Sequence, residues 1–354
     1  MSYHRPSVLL VGNFLSVATR TRSVCEDLAN RFRLSGWTVF STSTRLGRFA
    51  RLADMLTTTW KHRHQYDVAM VEVYSGPAFL WAEAVCSLLS MLNKPYLLTL
   101  QGGNLPNFGR RWPRRISRLL NSAEFVTTPS RYLLEAMHPY RPDLILLPNS
   151  IDLEKYAFHP RQEPEPKLVW LRAFHAIYNP SLAPRALAYL LPDFPVACLT
   201  MIGSDKGDGS LQKTKKIAND LSIANRIDFP GGVLKADVPK WLSKGDIFIN
   251  TTNYDNTPVS VIEAMACGLC VVSTNVGGLP YLLDHEKDAL LIPADDPKSM
   301  ASAIHRILTE PGLANQLSQN ARKKAEKFDR SIILHQWLEL FREVANLERT
   351  YERF

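Results

Sequence analysis

The stretch Asp246–Leu283, DIFINTTNYDNTPVSVIEAMACGLCVVSTNVGGLPYLL, constrains the fold of this chain more than any other. Ile247–Asn250 is a short apolar run rich in β-branched residues, which predicts a buried parallel strand. Tyr254–Thr257 reads as a loop, with Thr257 suited to cap a helix and Pro258 suited to its first position. That helix runs to Ala266 and stops near Gly268. Cys270–Ser273 is a second buried strand, and Gly277-Gly278 turns into another helix. Strand, helix and strand in alternation is the grammar of an α/β protein with a parallel sheet.

Two acids stand eight residues apart in this unit, Asp255 in the loop and Glu263 in the helix. Glu263 shares a helix face with Val259 and Ser260 by i,i+4 and i,i+3 spacing. Open α/β sheets bind ligands in the crevice beyond the carboxyl ends of their strands, and both acids are placed to enter it. The helix start nearby offers unpaired N–H groups to an anion. Carboxylates for hydroxyls beside a helix end for phosphate suit a nucleotide-sugar better than a bare phosphate ester. The spacing alone leaves a plainer reading open, in which one acid complements a helix dipole and the other lies on a surface helix.

At 354 residues the chain is long for one core and predicts two domains, 1–157 and 158–330, with 331–354 as a final helix. Tyr156–Lys167, with Pro160, Pro164 and Pro166, reads as the linker. Each half shows the strand–helix alternation of a doubly wound unit. The first opens with Ser7–Val11, Gly12-Asn13-Phe14, a polar loop holding Thr19, Arg20, Thr21 and Arg22, and a helix from about Ser23 to Leu34. Tyr96–Leu100 is a further strand, ending in Gln101-Gly102-Gly103. Ile332–Leu347 is a final amphipathic helix, placed to cross back onto the first domain.

The five cysteines are odd in number and mostly inside apolar runs, which fits reduced thiols in a cytoplasmic protein. Cys267 and Cys270 form a C-x-x-C without the second pair a zinc site needs. No signal peptide is legible, and Pro77–Leu100 is too interrupted by Glu83, Asn93, Lys94 and Pro95 to span a membrane.

The charge is one-sided. Residues 1–160 carry 19 Lys and Arg against 11 Asp and Glu, and the remainder 23 against 23. The excess gathers in Arg45–Arg63, a basic amphipathic stretch, and in Arg110, Arg111, Arg114, Arg115 and Arg118, interleaved with Phe108 and Trp112. Basic residues mixed with aromatics suit the surface of an anionic bilayer. A solvated helix face and an acceptor-binding loop are the alternatives. No nucleic-acid motif accompanies them.

DNTPVSVIEAMACGLCVVSTNVGGLP resembles the donor site of the family 4 glycosyltransferases. The resemblance implies a GT-B fold, two Rossmann-like doubly wound domains with a cleft between them. It implies transfer of a hexose-type sugar from a nucleotide diphosphate to an acceptor hydroxyl, with retention, in envelope or exopolysaccharide synthesis. By that resemblance Glu263 grips the ribose, Asp255 contacts the sugar, and Arg172 clamps the diphosphate, with Lys206 and the helix start at Val259 and Ser260, beside Thr257, assisting. Gly12, Gln101 and Gly102 would border the donor from the first domain. No metal or cofactor is expected, since no Asp-x-Asp motif is present. The acceptor would be a glycan or a lipid-linked or phosphorylated molecule, and the location cytoplasmic, peripheral on the inner face of the membrane. Asp255 stands where the family has Glu, Gln101 where it has His, Cys270 where it has Pro, and Ile177 where it has a second phosphate-clamping Lys. Losing one of two phosphate cations weakens binding by about 1–3 kcal/mol unless replaced. Those departures leave open a non-catalytic or regulatory sugar-nucleotide-binding protein. A GT-B epimerase is a further alternative.

Overall fold

The computed structural model describes residues 5–15 and 23–351. Thr19, Arg20, Thr21 and Arg22 of the expected polar loop lie outside them. The chain divides into two compact units, residues 1–149 with 331–354, and residues 150–330.

The first unit is built on a six-stranded parallel sheet. Its strands are β1 (Val8–Val11), β2 (Val39–Thr42), β3 (Val68–Val73), β4 (Tyr96–Leu100), β5 (Phe125–Thr128) and β6 (Ile145–Leu146). They run in the order β2-β1-β3-β4-β5-β6. The chain winds outward from β1 to β2, then returns to lay β3 against the other side of β1, with Val8 opposite both Val39 and Val68. Strand alternation sends Leu9 and Val11 into one core, Val8 and Leu10 into the other. Both faces are therefore covered, as a parallel sheet requires. Ser23 and Glu26 close a capping box at the start of helix Val24–Leu34, which fixes where that covering helix begins.

The terminal helix Arg330–Tyr351 supplies one of those faces. Ile333, Trp337, Phe341 and Val344 recur at three- and four-residue spacing and are buried with Cys25, Leu28, Phe32 and Trp37. Phe341 meets Phe32 edge-to-face with centroids 5.1 Å apart.

The second unit repeats the plan. Its strands are β7 (Lys167–Leu171), β8 (Cys198–Ile202), β9 (Ile227–Gly231), β10 (Ile247–Asn250), β11 (Cys270–Thr274) and β12 (Leu290–Ile292), in the order β12-β11-β10-β7-β8-β9. The winding reverses between β7 and β10, which pair in parallel register, Ile247 with Leu168. Ile247 and Ile249 enter one core and Phe248 the other.

The division between the units falls at 149/150 rather than 157/158. The segment from Ser150 is pinned inside the second unit by backbone bonds of 2.9 Å from Ile151 N to Phe328 O and 2.8 Å from Arg330 N to Ile151 O. Tyr156 is buried in the same core. A proline-rich composition marked the linker too late, because the residues before it had partners about 175 positions downstream that no local pattern reveals.

Truncating Phe341 to Ala removes a fully buried ring from the first unit and is expected to cost about 3–5 kcal/mol. Urea melts that leave the first unit's stability within about 1 kcal/mol of wild type would contradict the packing described for that helix.

Candidate functional site

The second unit's winding reverses between β7 and β10, and the residues that follow those two strands form the candidate site. After β7 comes Arg172, whose N–H bonds Ile202 O at 3.0 Å. Gly203, which follows β8, lies so close that a Cβ there would overlap the Arg172 carbonyl. The guanidinium of Arg172 lies over the Tyr178 ring, 4.4 Å from its centroid, and pairs through Nη2 with Asp255 Oδ2. Its Nε is buried with no hydrogen-bond partner among the described residues.

After β10 comes Thr251–Thr257. Thr252 Oγ1 donates to the carbonyls of Ile177, at 3.2 Å, and Tyr254, at 2.9 Å, while Asn253 N reaches Ile177 O at 2.8 Å. The position where the resemblance wanted a second cation is therefore a backbone strut for the loop. The Ile177 side chain itself is half-exposed and carries no charge.

Asp255 is held on both oxygens, Oδ2 by Arg172 and Oδ1 by the Asn256 N–H at 2.8 Å. The loop is clamped from behind by Gly277-Gly278, whose second N–H donates to Asp255 O at 2.9 Å. A Cβ on Gly277 would overlap the Asp255 carbonyl, and one on Gly278 the Asn256 carbonyl. Gly277 also has φ +55°, a conformation that side chains disfavour.

The helix that follows is Val259–Ala266, and its cap is Pro258, in an extended conformation, without a side-chain capping bond. Thr257 is thus not the cap, and Pro258 is not the first helical residue. The loop, held at Asp255 and Asn256, delays the helix by one residue. Val261 N turns back to Pro258 O at 3.1 Å, and the Ser260 hydroxyl is buried without a partner among the described residues.

Glu263 is 2% exposed. Its Oε1 accepts from the Tyr156 hydroxyl and pairs with Lys235 Nζ, both at short range. Burying a carboxylate is tolerable only with such compensation. Burial, followed by Glu263 itself, pushes the Tyr156 hydroxyl well above the usual phenol range, so Tyr156 remains the donor. The two acids of the motif are thus held by different partners. Sequence reasoning missed Tyr156 and Lys235. Tyr156 sat in the stretch read as linker, and Lys235 follows β9 among residues with no motif.

Lys206 is exposed on the loop after β8, and its N–H bonds Phe174 O at 3.2 Å, which ties that loop to the residues just beyond Arg172. Cys267 and Cys270 are both buried, and burial pushes each thiol up to about 12. Neither is a reactive thiolate.

In the first unit, Gly12 and Asn13 follow β1, and Gln101 and Gly102 follow β4. Gly102 has φ +82°. Gln101 N bonds Val73 O at 2.8 Å. A residue that sequence reasoning passed over stands between them. Glu72, near the end of β3, is buried, and its Oε2 accepts from Asn13 N at 3.1 Å and from the Tyr74 hydroxyl at 3.2 Å. Burial pushes its carboxyl up to about 7, against the opposing pull of those two bonds. A Glu inside the apolar run Val-Glu-Val was the available signal.

The clamp at Gly278 yields a direct test. In Gly278→Ala the added methyl must displace the Asn256 carbonyl and with it Asp255 and Arg172. A cost of about 1–3 kcal/mol is expected, with nucleotide affinity lowered by roughly tenfold or more. Unchanged stability and nucleotide binding by calorimetry would contradict the clamp.

Comparisons with known proteins bear on the family and the fold. Residues 153–324 match the model of the family "Glycosyl transferases group 1". The chain is 26% identical over 155 residues to the D-inositol 3-phosphate glycosyltransferase of Streptomyces bingchenggensis, covering 42% of this chain and 34% of that protein. It is 25% identical over 194 residues to the UDP-Gal:alpha-D-GlcNAc-diphosphoundecaprenol alpha-1,3-galactosyltransferase of Escherichia coli, covering 51% and 48%. The chain thus spans less than half the length of either relative. Among solved structures, sucrose-phosphate synthase from Thermosynechococcus elongatus superposes with a TM-score of 0.79 at 19% identity, covering 96% of this chain and 99% of that one. Anabaena Alr3699/HepE in complex with UDP gives 0.74 at 17% identity, covering 95% and 99%. Those likenesses show the fold, which is GT-B. The match to the group 1 glycosyl transferases lies in the second unit, over residues 153–324.

Proposed function

We propose that the chain is a retaining glycosyltransferase, which moves a hexose-type sugar from a nucleotide diphosphate to an acceptor hydroxyl in envelope or exopolysaccharide synthesis. The observation that carries this reading is the orphaned, buried Arg172 Nε, whose guanidinium is oriented by Asp255 and Tyr178. A diphosphate supplies the acceptor that nitrogen lacks. The buried Ser260 hydroxyl, unpartnered among the described residues and at the start of the helix Val259–Ala266, gives a second contact of the same sort.

In the reaction, the bond between the anomeric carbon and the diphosphate oxygen breaks. The acceptor oxygen bonds to the same face of that carbon, and its proton passes to the leaving phosphate oxygen. Negative charge grows on the diphosphate. Arg172, fixed in advance by its partners, meets that charge without reorganising. Lys206, exposed on the loop after β8, is the second cation, standing in for the missing Lys at Ile177. Glu263, with its Oε1 taken by Tyr156 and Lys235, offers its other oxygen to the ribose hydroxyls. Asp255 acts chiefly by aiming Arg172, a role the shorter acid fills once both its oxygens are engaged. Gly12, Gln101 and Gly102 are the first-unit residues proposed to border the sugar. Anabaena Alr3699/HepE is known in complex with UDP-glucose, which makes that the first donor to try.

We further propose that the enzyme works on the inner, cytoplasmic face of an anionic membrane, with a lipid-linked or phosphorylated acceptor. No helix among the described residues is long and apolar enough to cross a membrane. The helix Arg48–Lys61 presents Phe49, 91% exposed, and Trp60, 52% exposed, among basic residues. Arg110, Arg111, Arg114 and Arg118 are exposed around Trp112, which is 43% exposed. Arg115 is not part of that face. It is bound to Glu83 and lies over Phe79, Phe108 and Trp112, so it holds the two short helices of this segment in place.

Thermal-shift screening against UDP-, GDP- and ADP-sugars is expected to raise the melting point with one base class. In Arg172→Ala, cleavage of that donor should fall by roughly a hundredfold or more. In Glu263→Gln, nucleotide affinity should fall by about 1–3 kcal/mol. A protein that binds no nucleotide-sugar, or an Arg172→Ala variant with full donor cleavage, would refute the assignment.

Sedimentation with phosphatidylglycerol-containing vesicles should carry the protein down. Neutral phosphatidylcholine vesicles should carry much less, and the difference should shrink with added salt. Equal binding to both vesicles would count against the membrane reading.

A further inference from the structure

Glu263 has two donors on one carboxylate oxygen and none on the other. The Tyr156 hydroxyl and the Lys235 ammonium both reach Oε1, while Oε2 has no partner among the described residues. The side chain is almost wholly buried, on a helix whose Val261, Ile262, Ala264 and Met265 are fully buried as well. A carboxylate packed in this way has little room to turn. An oxygen kept from water and left without donors costs free energy until a ligand donates to it.

Tyr156 is built into the frame that carries Glu263. Its carbonyl accepts from Arg322 Nη1 at 3.1 Å, and the same Nη1 donates to Ala266 O at 2.8 Å, at the end of the helix Val259–Ala266. A little further on, His159 N reaches Cys267 O at 3.3 Å. Gly268 makes room for that crossing, since a Cβ there would overlap His159 O and the Phe158 ring. The backbone of Tyr156 is thus tied to the end of the helix, and its hydroxyl is tied to Glu263 one turn earlier. Burial pushes the hydroxyl well above the usual phenol range, so it stays a donor.

Lys235 is the opposite case. It lies exposed in the short turn Lys235–Asp237 after β9, and its ammonium has no other partner among the described residues. An exposed lysine ordinarily keeps its ammonium in water. Here the ammonium reaches a buried carboxylate and adds the positive charge that the phenol lacks. One donor fixes direction, and the other supplies charge.

We propose that Tyr156 and Lys235 are positioning residues, which lock one oxygen of Glu263 so that the other reads the hydroxyls of the donor's ribose. The inference rests on the transferase reading above, which gives the ribose to Glu263. A nucleotide without those hydroxyls leaves Oε2 buried and unpaired, and a site built to pair with a hydroxyl rejects such an analogue. Removing either donor lets the carboxylate turn. Discrimination then falls, while the diphosphate keeps its contacts at Arg172.

The test is isothermal titration calorimetry on the full chain with UDP, GDP and ADP, each beside its dideoxyribose counterpart, which lacks both hydroxyls. At least one ribonucleotide should bind, and wild type should prefer it to its dideoxy form by about tenfold or more. In Tyr156→Phe and in Lys235→Met, ribonucleotide affinity should drop by roughly fivefold or more, with dideoxy affinity within about twofold of wild type. Lys235→Arg, which keeps the charge, should retain most of the preference. A purely structural role would lower both affinities together, and an unchanged ratio in the variants would overturn the proposal. Equal binding of the two forms by wild type would overturn it too, while leaving the diphosphate site standing. Binding of no nucleotide diphosphate would sink the transferase reading and this inference with it. Should Tyr156→Phe fail to fold, Lys235→Met carries the test, since that exposed ammonium has no other contact among the described residues.

Discussion

The second unit's site depends on one close backbone approach, the carbonyls of Asp255 and Asn256 against the α-carbons of Gly277 and Gly278. That contact holds the loop after β10 from behind, with the Gly278 N–H bonded to Asp255 O. Once the loop is fixed, Asp255 presents its carboxylate to Arg172, and the following helix begins at Val259. Each step removes a degree of freedom that a diphosphate would otherwise have to freeze on binding.

The proposed site is held firmly at Arg172 and less so at Lys206. Arg172 is held by a carboxylate, an aromatic ring and the close pass of Gly203, so its guanidinium has one orientation. Lys206 stands exposed, with only its backbone tied down. One preorganised cation and one exposed cation would make a different design from two fixed ones. Because Arg is planar and forked while Lys is a point charge on a flexible stem, the fixed role falls naturally to Arg172.

Both units put ionisable groups at the point where the strand order reverses, since there two neighbouring loops diverge and open a crevice. In the second unit these groups are paired with charges, Asp255 with Arg172 and Glu263 with Lys235. In the first unit Glu72 has only neutral donors among the described residues, and its carboxyl is pushed up to about 7. The same fold position therefore carries two electrostatic solutions.

The sequence by itself determined the alternation of strands and helices, the twofold plan of the chain, and the strand–loop–helix–strand stretch that holds Asp255 and Glu263. These are local properties, written in runs of apolar residues, in glycines at turns and in helix spacing. It read Gly277-Gly278 as a turn, but only the structure showed what the missing side chains make room for. It placed a helical cap at Thr257, one residue early, because the clamp that delays the helix is not local. Tertiary structure alone decided which charges meet. Arg172 and Asp255 are 83 residues apart, and Tyr156 and Glu263 are 107 apart. It likewise set Asn13 against Glu72, 59 residues away, at the end of a strand that reads as plain core. Strand order brings such pairs together, and strand order is fixed by how whole sheets bury their two faces, which no window of sequence contains.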